Sequence, residues 1–529
     1  MIPKIIHQTW RDHILPVPSE LPDSWKEINP DWDYRFWTDT DLLDFVSSFY
    51  PELLELYTSY PSPVQRADLA RYLLLDQFGG IYADIDTRCV GPLDAIVNED
   101  RIILSSEPDE HLYHVADLGL PWMLFNGVIA SPQKHPFWQH VVQTMTLCAT
   151  GVDHILESTG PLMLSGAAQS YPDREQLAIH SCHLFTPQGK SGVDDTSPET
   201  GPLSPLRICE HIWQGSWYSV AGRKPLARLK LWWRKTLYYL TRGCITQHEQ
   251  LAQSLDQNLL SQPLPEQDIN DPSVAVLIPI RDAAPFLERC VELLRKLDYP
   301  KHKLRIIFCE GDSNDDTRGK IAELQERYGA GFAGMELLTY KSGYKIERRN
   351  RWKPRYQAKR RSNLARVRNH LVRHFQANNE EWALWIDADV CDYAPDTLRK
   401  LLDLRKKVIV PNCVLDWGGQ SFDQNSFFES NSDRDARYYK HVHKGIFQPP
   451  ANFHARRHLH DLRFLSKVPL DGIGGTMILV HGSVHRAGIT FPEYPYKDLL
   501  ETEGFGKICR DFGVRATGLP NLEIQHVKS

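Results

Sequence analysis

Two places in the sequence set aspartates one residue apart at the end of a short apolar run: Asp84 and Asp86 in "GGIYADIDT", Asp387 and Asp389 in "WALWIDADV". On extended backbone, residues i and i+2 point to the same side, so each pair can address one object. Two carboxylates brought together repel, and one surrenders its charge unless a cation compensates them. Mg²⁺ or Mn²⁺ is characteristically held by one or two carboxylates together with phosphate oxygens, so each pair is half of a metal–diphosphate site. An isolated Asp-x-Asp more often ends a strand and begins a turn, with no further role. The surroundings decide between the two readings.

At 529 residues the chain calls for more than one core. Before the first pair, strand-like runs such as "KIIHQTW" and "YRFW" alternate with the helical pattern "ADLARYLLLDQF", the signature of an α/β domain with a mainly parallel sheet. In that helix Asp68 and Arg71 stand at i, i+3 and share a face, and Gly79–Gly80 allows close backbone approach. The strand–helix alternation restarts at Val274 with "VAVLIPI", "APFLERCVELLRKL" and "LRIIFCEGDS". Domains are therefore expected at 1–222 and 274–529, joined by 223–273. Within the joining segment, 223–242 places Leu226, Leu229, Trp233, Leu237 and Leu240 on one helical face and seven Lys/Arg around the remainder. It reads either as a membrane-surface helix or as a connector between domains. The Gln-rich polar stretch after it reads as linker or loosely packed helix.

Further motifs in the first half are "FNGVIASPQKHPFW", "STGPLML" and "HIWQGSW". With the Asp84/Asp86 context, they resemble the glycosyltransferases whose sugar-binding region contains the DxD motif (glycosyltransferase family 32). The resemblance implies that Asp84 and Asp86 bind metal and the sugar-nucleotide diphosphate. It implies sugar or donor contacts for Asp68, Arg71, Tyr82 and Asn126. His211 would complete the metal site, with Trp217 nearby.

The second half carries "FCEGDSNDDT", "AKRRSNLARVRNHL", "WIDADV", "VIVPN", "PLDGIGGTMILVHGSVHRAG" and "ETEGFGKICRDFGV". It resembles the fungal mannan-polymerase subunits of glycosyltransferase family 62, GDP-mannose-dependent α-mannosyltransferases of the GT-A fold. The resemblance makes Asp387 and Asp389 the metal and diphosphate ligands and His526 the closing metal ligand. Asp312 becomes a nucleotide contact, Asp471 and Glu503 become sugar or acceptor contacts at the catalytic centre, and Arg366 lines the donor pocket beside Arg368. One departure stands out: relatives often carry Arg immediately before the motif, where this chain has Ile386.

The resemblances together imply two GT-A domains in tandem, each a Rossmann-like α/β nucleotide-sugar transferase, dependent on Mn²⁺ or Mg²⁺. Both families retain anomeric configuration, so α-linked products are expected, through a same-face displacement in which the departing phosphate assists deprotonation of the acceptor hydroxyl. Donors would be GDP-mannose in the second half and a GDP- or UDP-hexose in the first, with a glycan or a lipid-linked acceptor. The rival from another class is a carbohydrate-binding or scaffold protein with only one active domain.

Composition fits this reading. Net charge is −6, against a polyanion binder, although residues 345–361 hold nine Lys/Arg with Trp352 and Tyr356 interleaved. That tract suits a diphosphate or an anionic acceptor better than nucleic acid, since no nucleic-acid module accompanies it. The ten cysteines show no CxxC, which points to reduced thiols in a reducing compartment. The first residues carry no signal-peptide pattern and no run approaches the ~20 apolar residues that span a bilayer. The expectation is a cytoplasmic protein, peripheral on a membrane surface if the 223–242 stripe is exposed.

Overall fold

The apolar runs that lead into the aspartate pairs are buried strands, and the amphipathic segments between them are helices covering the sheets. A computed structural model describes residues 1–151, 153–213, 232–233, 236, 247–264, 271–344, 346, 353–429, 436–443 and 445–528. The chain divides into two compact units: Met1–Ala221 with Asp461–Ser466, and Gly222–His460 with Lys467–Ser529. Trp217 and most of 223–242 lie outside the described residues, as does most of 345–352.

In the first unit, β1 (Ile5–Thr9), β2 (Asp33–Trp37), β3 (Gly80–Ala83), β5 (Ile102–Ser106), β6 (Leu124–Ser131) and β7 (Leu177–His180) form a six-stranded sheet in the order β2-β1-β3-β6-β5-β7. β1 is parallel to β2 and to β3, β5 is parallel to β7, and β6 runs antiparallel to its neighbours β3 and β5. Because β6 is antiparallel to both its neighbours, the other five strands share one direction, so the sheet is mainly parallel, as expected, with β6 as its one reversed strand. A separate ribbon pairs β4 (Thr87–Cys89) with β8 (Cys209–His211). Helix Pro63–Phe78 precedes β3; Ser62 caps it in a capping box with Gln65, and proline occupies its first turn. Gly79 and Gly80, both with positive φ, end it, and a Cβ on Gly80 would lie 2.4 Å from the Ile5 carbonyl oxygen. The glycine pair therefore serves the close approach of β3 to β1.

The second unit builds its main sheet from β9 (Val274–Ile280), β10 (Leu304–Glu310), β11 (Gly334–Thr339), β12 (Trp382–Ile386), β13 (Val390–Tyr393) and β14 (Val408–Val414), with strands Met477–His481 and Thr517–His526. β11, β10, β9 and β12 are mutually parallel; Met477–His481 then enters antiparallel between β12 and β14. The final strand pairs with β14 and, antiparallel, with β13. One core cluster is the alternating set Val274, Val276, Ile278 and Leu304, Ile306, Phe308, packed beneath helix Ala284–Lys296 through Leu287, Val291 and Leu294. In the described part of the Gln-rich stretch, Gln247–Ser254 and Gln257–Ser261 are helical and mostly exposed, with Leu255 and Leu260 buried. Two leucines in a polar run sufficed to dock it on the second unit, where the Asp256 amide donates to the Ala487 carbonyl.

Both units are α/β with a Rossmann-like run of parallel strands, the GT-A expectation. In both, the aspartate pair follows a strand whose one neighbour is parallel and whose other neighbour is antiparallel.

Candidate active sites

The first pair begins where β3 ends. The Asp84 amide donates to the Gly127 carbonyl of β6 (2.7 Å), and a turn closes through the Thr87 amide on the Asp84 carbonyl (3.1 Å). Thr87 then pairs with His211 across the β4–β8 ribbon, and the Ile212 amide donates to the Asp86 carbonyl (3.0 Å). This ladder carries the imidazole to Asp86, with His211 Nε2 3.2 Å from Asp86 Oδ1. One ligand atom from each of Asp84, Asp86 and His211 lies within 4.8 Å of the others.

Asp84 is organised from the helix side. Arg71 Nη1 approaches Asp84 Oδ1 at 3.2 Å while its Nη2 pairs with Asp68 Oδ1 at 3.1 Å. Arg71 also donates to the Asn126 carbonyl (2.7 Å) and lies over the Tyr82 ring, whose hydroxyl donates to Asp84 Oδ1 (2.9 Å). Both oxygens of Asp68 are engaged, by Arg71 and the Asn126 amide on one side and the Thr159 hydroxyl on the other. At 2% exposure Asp68 is positioned to orient Arg71. Burial pushes the Asp84 carboxyl up, the Arg71 guanidinium holds it down, and Asp86 pushes it up again. Asp68 is likewise raised by burial against the pull of Arg71.

The second pair repeats the backbone links and the arginine and histidine contacts, although its three ligand atoms are not gathered within 4.8 Å as those of the first are. The Asp387 amide donates to the Thr476 carbonyl at the start of the antiparallel neighbour (3.0 Å), and the Val390 amide closes the turn on the Asp387 carbonyl (3.2 Å). Val390 pairs with His526, and the Val527 amide donates to the Asp389 carbonyl (3.1 Å). His526 Nε2 lies 3.2 Å from Asp389 Oδ1, and this carboxylate raises the imidazole pKa despite burial. Arg368, from helix Pro354–Gln376, places Nη2 3.3 Å from Asp387 Oδ1 and Nε 3.1 Å from Glu501. Burial pushes the Asp387 carboxyl up to about 7, with Arg368 opposing and Asp389 adding to the rise.

Each closing histidine also carries an aromatic ring. Trp213 sits 4.1 Å from the His211 ring, and Phe422 sits 4.1 Å from the His526 ring. Each site arginine keeps one buried donor without a protein partner, Arg71 Nε and Arg368 Nη1, and so does His211 at Nδ1. Buried donors beside a carboxylate pair are what an anion bridged by a cation would satisfy. Oxygen ligands with one imidazole suit Mn²⁺ or Mg²⁺, and the imidazole favours Mn²⁺.

Trp213, Phe422 and Arg368 are the residues that sequence reasoning underrated. Arg361 and Arg368 stand seven apart, two turns along one face, and both reach the acids at the start of helix Glu501–Asp511. Arg366 falls on another face and pairs instead with Glu493 (3.0 Å). The heptad spacing was the available signal. Arg368 also answers the Ile386 departure: Ile386 is core, 1% exposed, and the cation beside Asp387 comes from the helix.

The other two residues expected at the catalytic centre, Asp471 and Glu503, are held in ion pairs. Asp471 is fully buried, with Oδ1 held by Arg510 (2.6 Å) and Arg515 (2.8 Å) and Oδ2 by the Glu429 amide (2.7 Å). Glu503 is clasped by Arg361 (2.5 Å) and Arg456 (3.0 Å) at 2% exposure. Both are ion-pair anchors with their oxygens committed inside the unit. Asp312, at the C-terminal edge of the parallel strands, adopts positive φ, and its Oδ2 accepts from Ser342 N, Ser342 Oγ and Gly343 N. It holds the loop after β11 on the edge where Asp387 lies.

Comparisons with known proteins agree with both halves of the sequence reading. The family described as glycosyltransferase sugar-binding region containing DXD motif matches residues 19–103, and the family described as Anp1 matches 255–495. Inositol phosphoceramide mannosyltransferase 3 of Schizosaccharomyces pombe is 32% identical over 201 residues, 35% of this chain and 51% of the relative. This chain thus spans about half the length of that relative. Mannan polymerase complex subunit mnn9 of the same organism is 28% identical over 276 residues, covering 49% of this chain and 80% of the relative. Among solved structures, a mannosyltransferase from Pyrobaculum calidifontis in complex with GDP-Man and Mn²⁺ aligns with 56% of this chain and 65% of its own, at 18% identity and a TM-score of 0.30.

Proposed function

We propose that this chain, with a DXD-containing sugar-binding region in its first half and an Anp1 region in its second, is a bifunctional glycosyltransferase. Each unit has its own metal-dependent site, which moves a sugar from a nucleotide diphosphate to an acceptor hydroxyl. The observation that carries this reading is the repeated constellation. An Arg on the first Asp, a His on the second, an aromatic ring on the His and the same three backbone hydrogen bonds recur in halves with otherwise different sequences. A binding-only protein has no use for two half-buried carboxylate pairs, each beside an arginine and closed by a histidine.

A divalent cation held by Asp84, Asp86 and His211, and another by Asp387, Asp389 and His526, would neutralise charge on the leaving diphosphate. The protein supplies the rest. Arg71 and Arg368 oppose the rise that burial imposes on the first aspartate of each pair, and their unpartnered N–H groups offer charge-assisted hydrogen bonds to a phosphate oxygen. The proton of the acceptor hydroxyl leaves with the departing phosphate oxygen, on the face the donor sugar occupied. Names of relatives support mannose in both halves; we infer GDP-mannose for the second unit, a GDP- or UDP-hexose for the first, and a glycan or lipid-linked acceptor. The reading also places the chain at the cytoplasmic surface of a membrane through 223–242, supported by Trp232 and Trp233, 58% and 62% exposed.

The test is a donor screen on the full chain. Release of GDP or UDP from a panel of sugar nucleotides is measured with Mn²⁺ for the native protein, Asp86→Asn and Asp389→Asn. Each variant should lose one nucleotide-releasing activity and keep the other. Loss of both activities from either folded variant, or full activity in excess EDTA, refutes the tandem-site reading.

A further inference from the structure

Beyond β14 the second unit carries a six-residue loop, 415–420, closed where Val414 bridges Ser421. Four contacts pin it along the end of the final strand: the Gln525 amide donates to the Leu415 carbonyl (2.9 Å), Asp416 pairs with Lys528 (2.5 Å), the Gly418 amide donates to Glu523 (2.8 Å), and Phe422 lies on His526. These anchors bracket His526 on both sides in sequence. At the tip, between the anchored Asp416 and Gly418, Trp417 is 51% exposed, and Phe422 keeps 36% of its surface open. Single exposed apolar residues are ordinary, but an exposed indole on a loop braced to the strand that ends in His526, whose ring already carries Phe422, is a small apolar platform beside a polar site. Nothing in the repeated constellation uses Trp417.

We propose that this loop is the acceptor subsite of the second unit, with Trp417 stacking on the apolar C–H face of a pyranose ring of an acceptor glycan. This deepens the functional reading above and rests on it. The chemistry favours a sugar ring over a lipid headgroup or a peptide. A flat indole on a backbone braced at both flanking residues matches the C–H face of a pyranose, and the acids Asp416, Asp423 and Glu523 on and around the loop outnumber the one lysine paired there, Lys528, which disfavours an anionic headgroup. Asp423 itself is held in place by the Thr476 amide (3.2 Å) and hydroxyl (3.1 Å), next to the strand that follows. Acceptor recognition would thus be built on the strand that ends in the closing histidine.

The experiment compares the native full chain with Trp417→Ala and Trp417→Phe. Mannotriose binding is measured by titration calorimetry without donor, and transfer to mannotriose from GDP-mannose with Mn²⁺ is measured over a range of acceptor concentrations. We expect Trp417→Ala to weaken mannotriose binding and raise its KM about tenfold, the loss of one stacked ring at about 1.4 kcal/mol per decade. The kcat, GDP affinity and water-supported donor hydrolysis should stay within twofold, and Trp417→Phe should recover most of the loss. Unchanged mannotriose binding and KM in Trp417→Ala, or no mannotriose binding by the native chain, overturns the platform. A fall in GDP affinity instead would assign Trp417 a structural role and overturn it equally. Absence of donor turnover from all three proteins, with mannotriose binding weakened in Trp417→Ala, would refute the transferase reading and leave the platform standing.

Discussion

Arg71→Met deletes a cation that is 6% exposed and flanked by carboxylates at 3.1 and 3.2 Å. At an effective dielectric constant of about 20, each contact is worth about 5 kcal/mol before desolvation is subtracted. The net cost of removing one member of such a buried cluster is typically about 3–5 kcal/mol, because the partners are left uncompensated. For a unit of this size that corresponds to a fall of roughly 10 °C in its calorimetric transition. The pH dependence is diagnostic. Burial already raises Asp68 and Asp84, and Arg71 restrains both; without it they rise further above their unfolded values. The folded variant then binds more protons than its unfolded chain, so its stability falls as pH rises. The deficit relative to native protein should be largest at neutral pH and shrink on acidification. Scanning calorimetry of both proteins across pH 5–8 tests this, with the second unit's transition as internal control. An unchanged transition, or a deficit that widens on acidification, would show that Arg71 is not holding the two carboxylates.

Three further outcomes are expected. Mn²⁺ affinity of the second unit, isolated from the first by Asp86→Asn, should climb as pH rises to about 7 and then level, because Asp387 must lose its proton to bind; a flat profile between pH 5.5 and 8 contradicts this. Glu503→Gln should lower the second unit's stability by about 3 kcal/mol, through stranding Arg361 and Arg456, while donor KM stays within twofold; a donor KM defect without destabilisation would restore the catalytic assignment. Trp213→Ala, which frees the His211 ring to reorient, should weaken Mn²⁺ binding in the first unit about tenfold or more, read by titration in the Asp389→Asn background.

Much of each site was legible because its chemistry is short-range in sequence. Asp84/Asp86 and Asp387/Asp389 announce themselves by spacing, and Asp68/Arg71 by helical periodicity. The closing histidines were reachable only through resemblance, since the ladder that brings His211 to Asp86 spans 125 residues. What escaped was long-range pairing. Asp471 and Glu503 lie in motifs that read as chemical, but the cations that neutralise them, Arg510, Arg515, Arg361 and Arg456, are identified only by the fold. The reversed direction of β6 within the mainly parallel first sheet escaped for the same reason: β6 is as apolar as a parallel strand, so burial pattern alone does not reveal its direction.

The histidine ladders have a thermodynamic consequence. Because each site is closed by a strand far along the chain from its aspartates, the ligand set does not exist in an unfolded chain, and whatever fills it binds the native state alone. Filling a site at a hundredfold excess over its Kd then adds about 2.7 kcal/mol to the unit that owns it. On the tandem-site proposal, each unit then reports its own ligand through its own stability. A GDP or UDP titration with Mn²⁺ should lift one melting transition and leave the other where it was, reporting which half accepts which base before any product has been made.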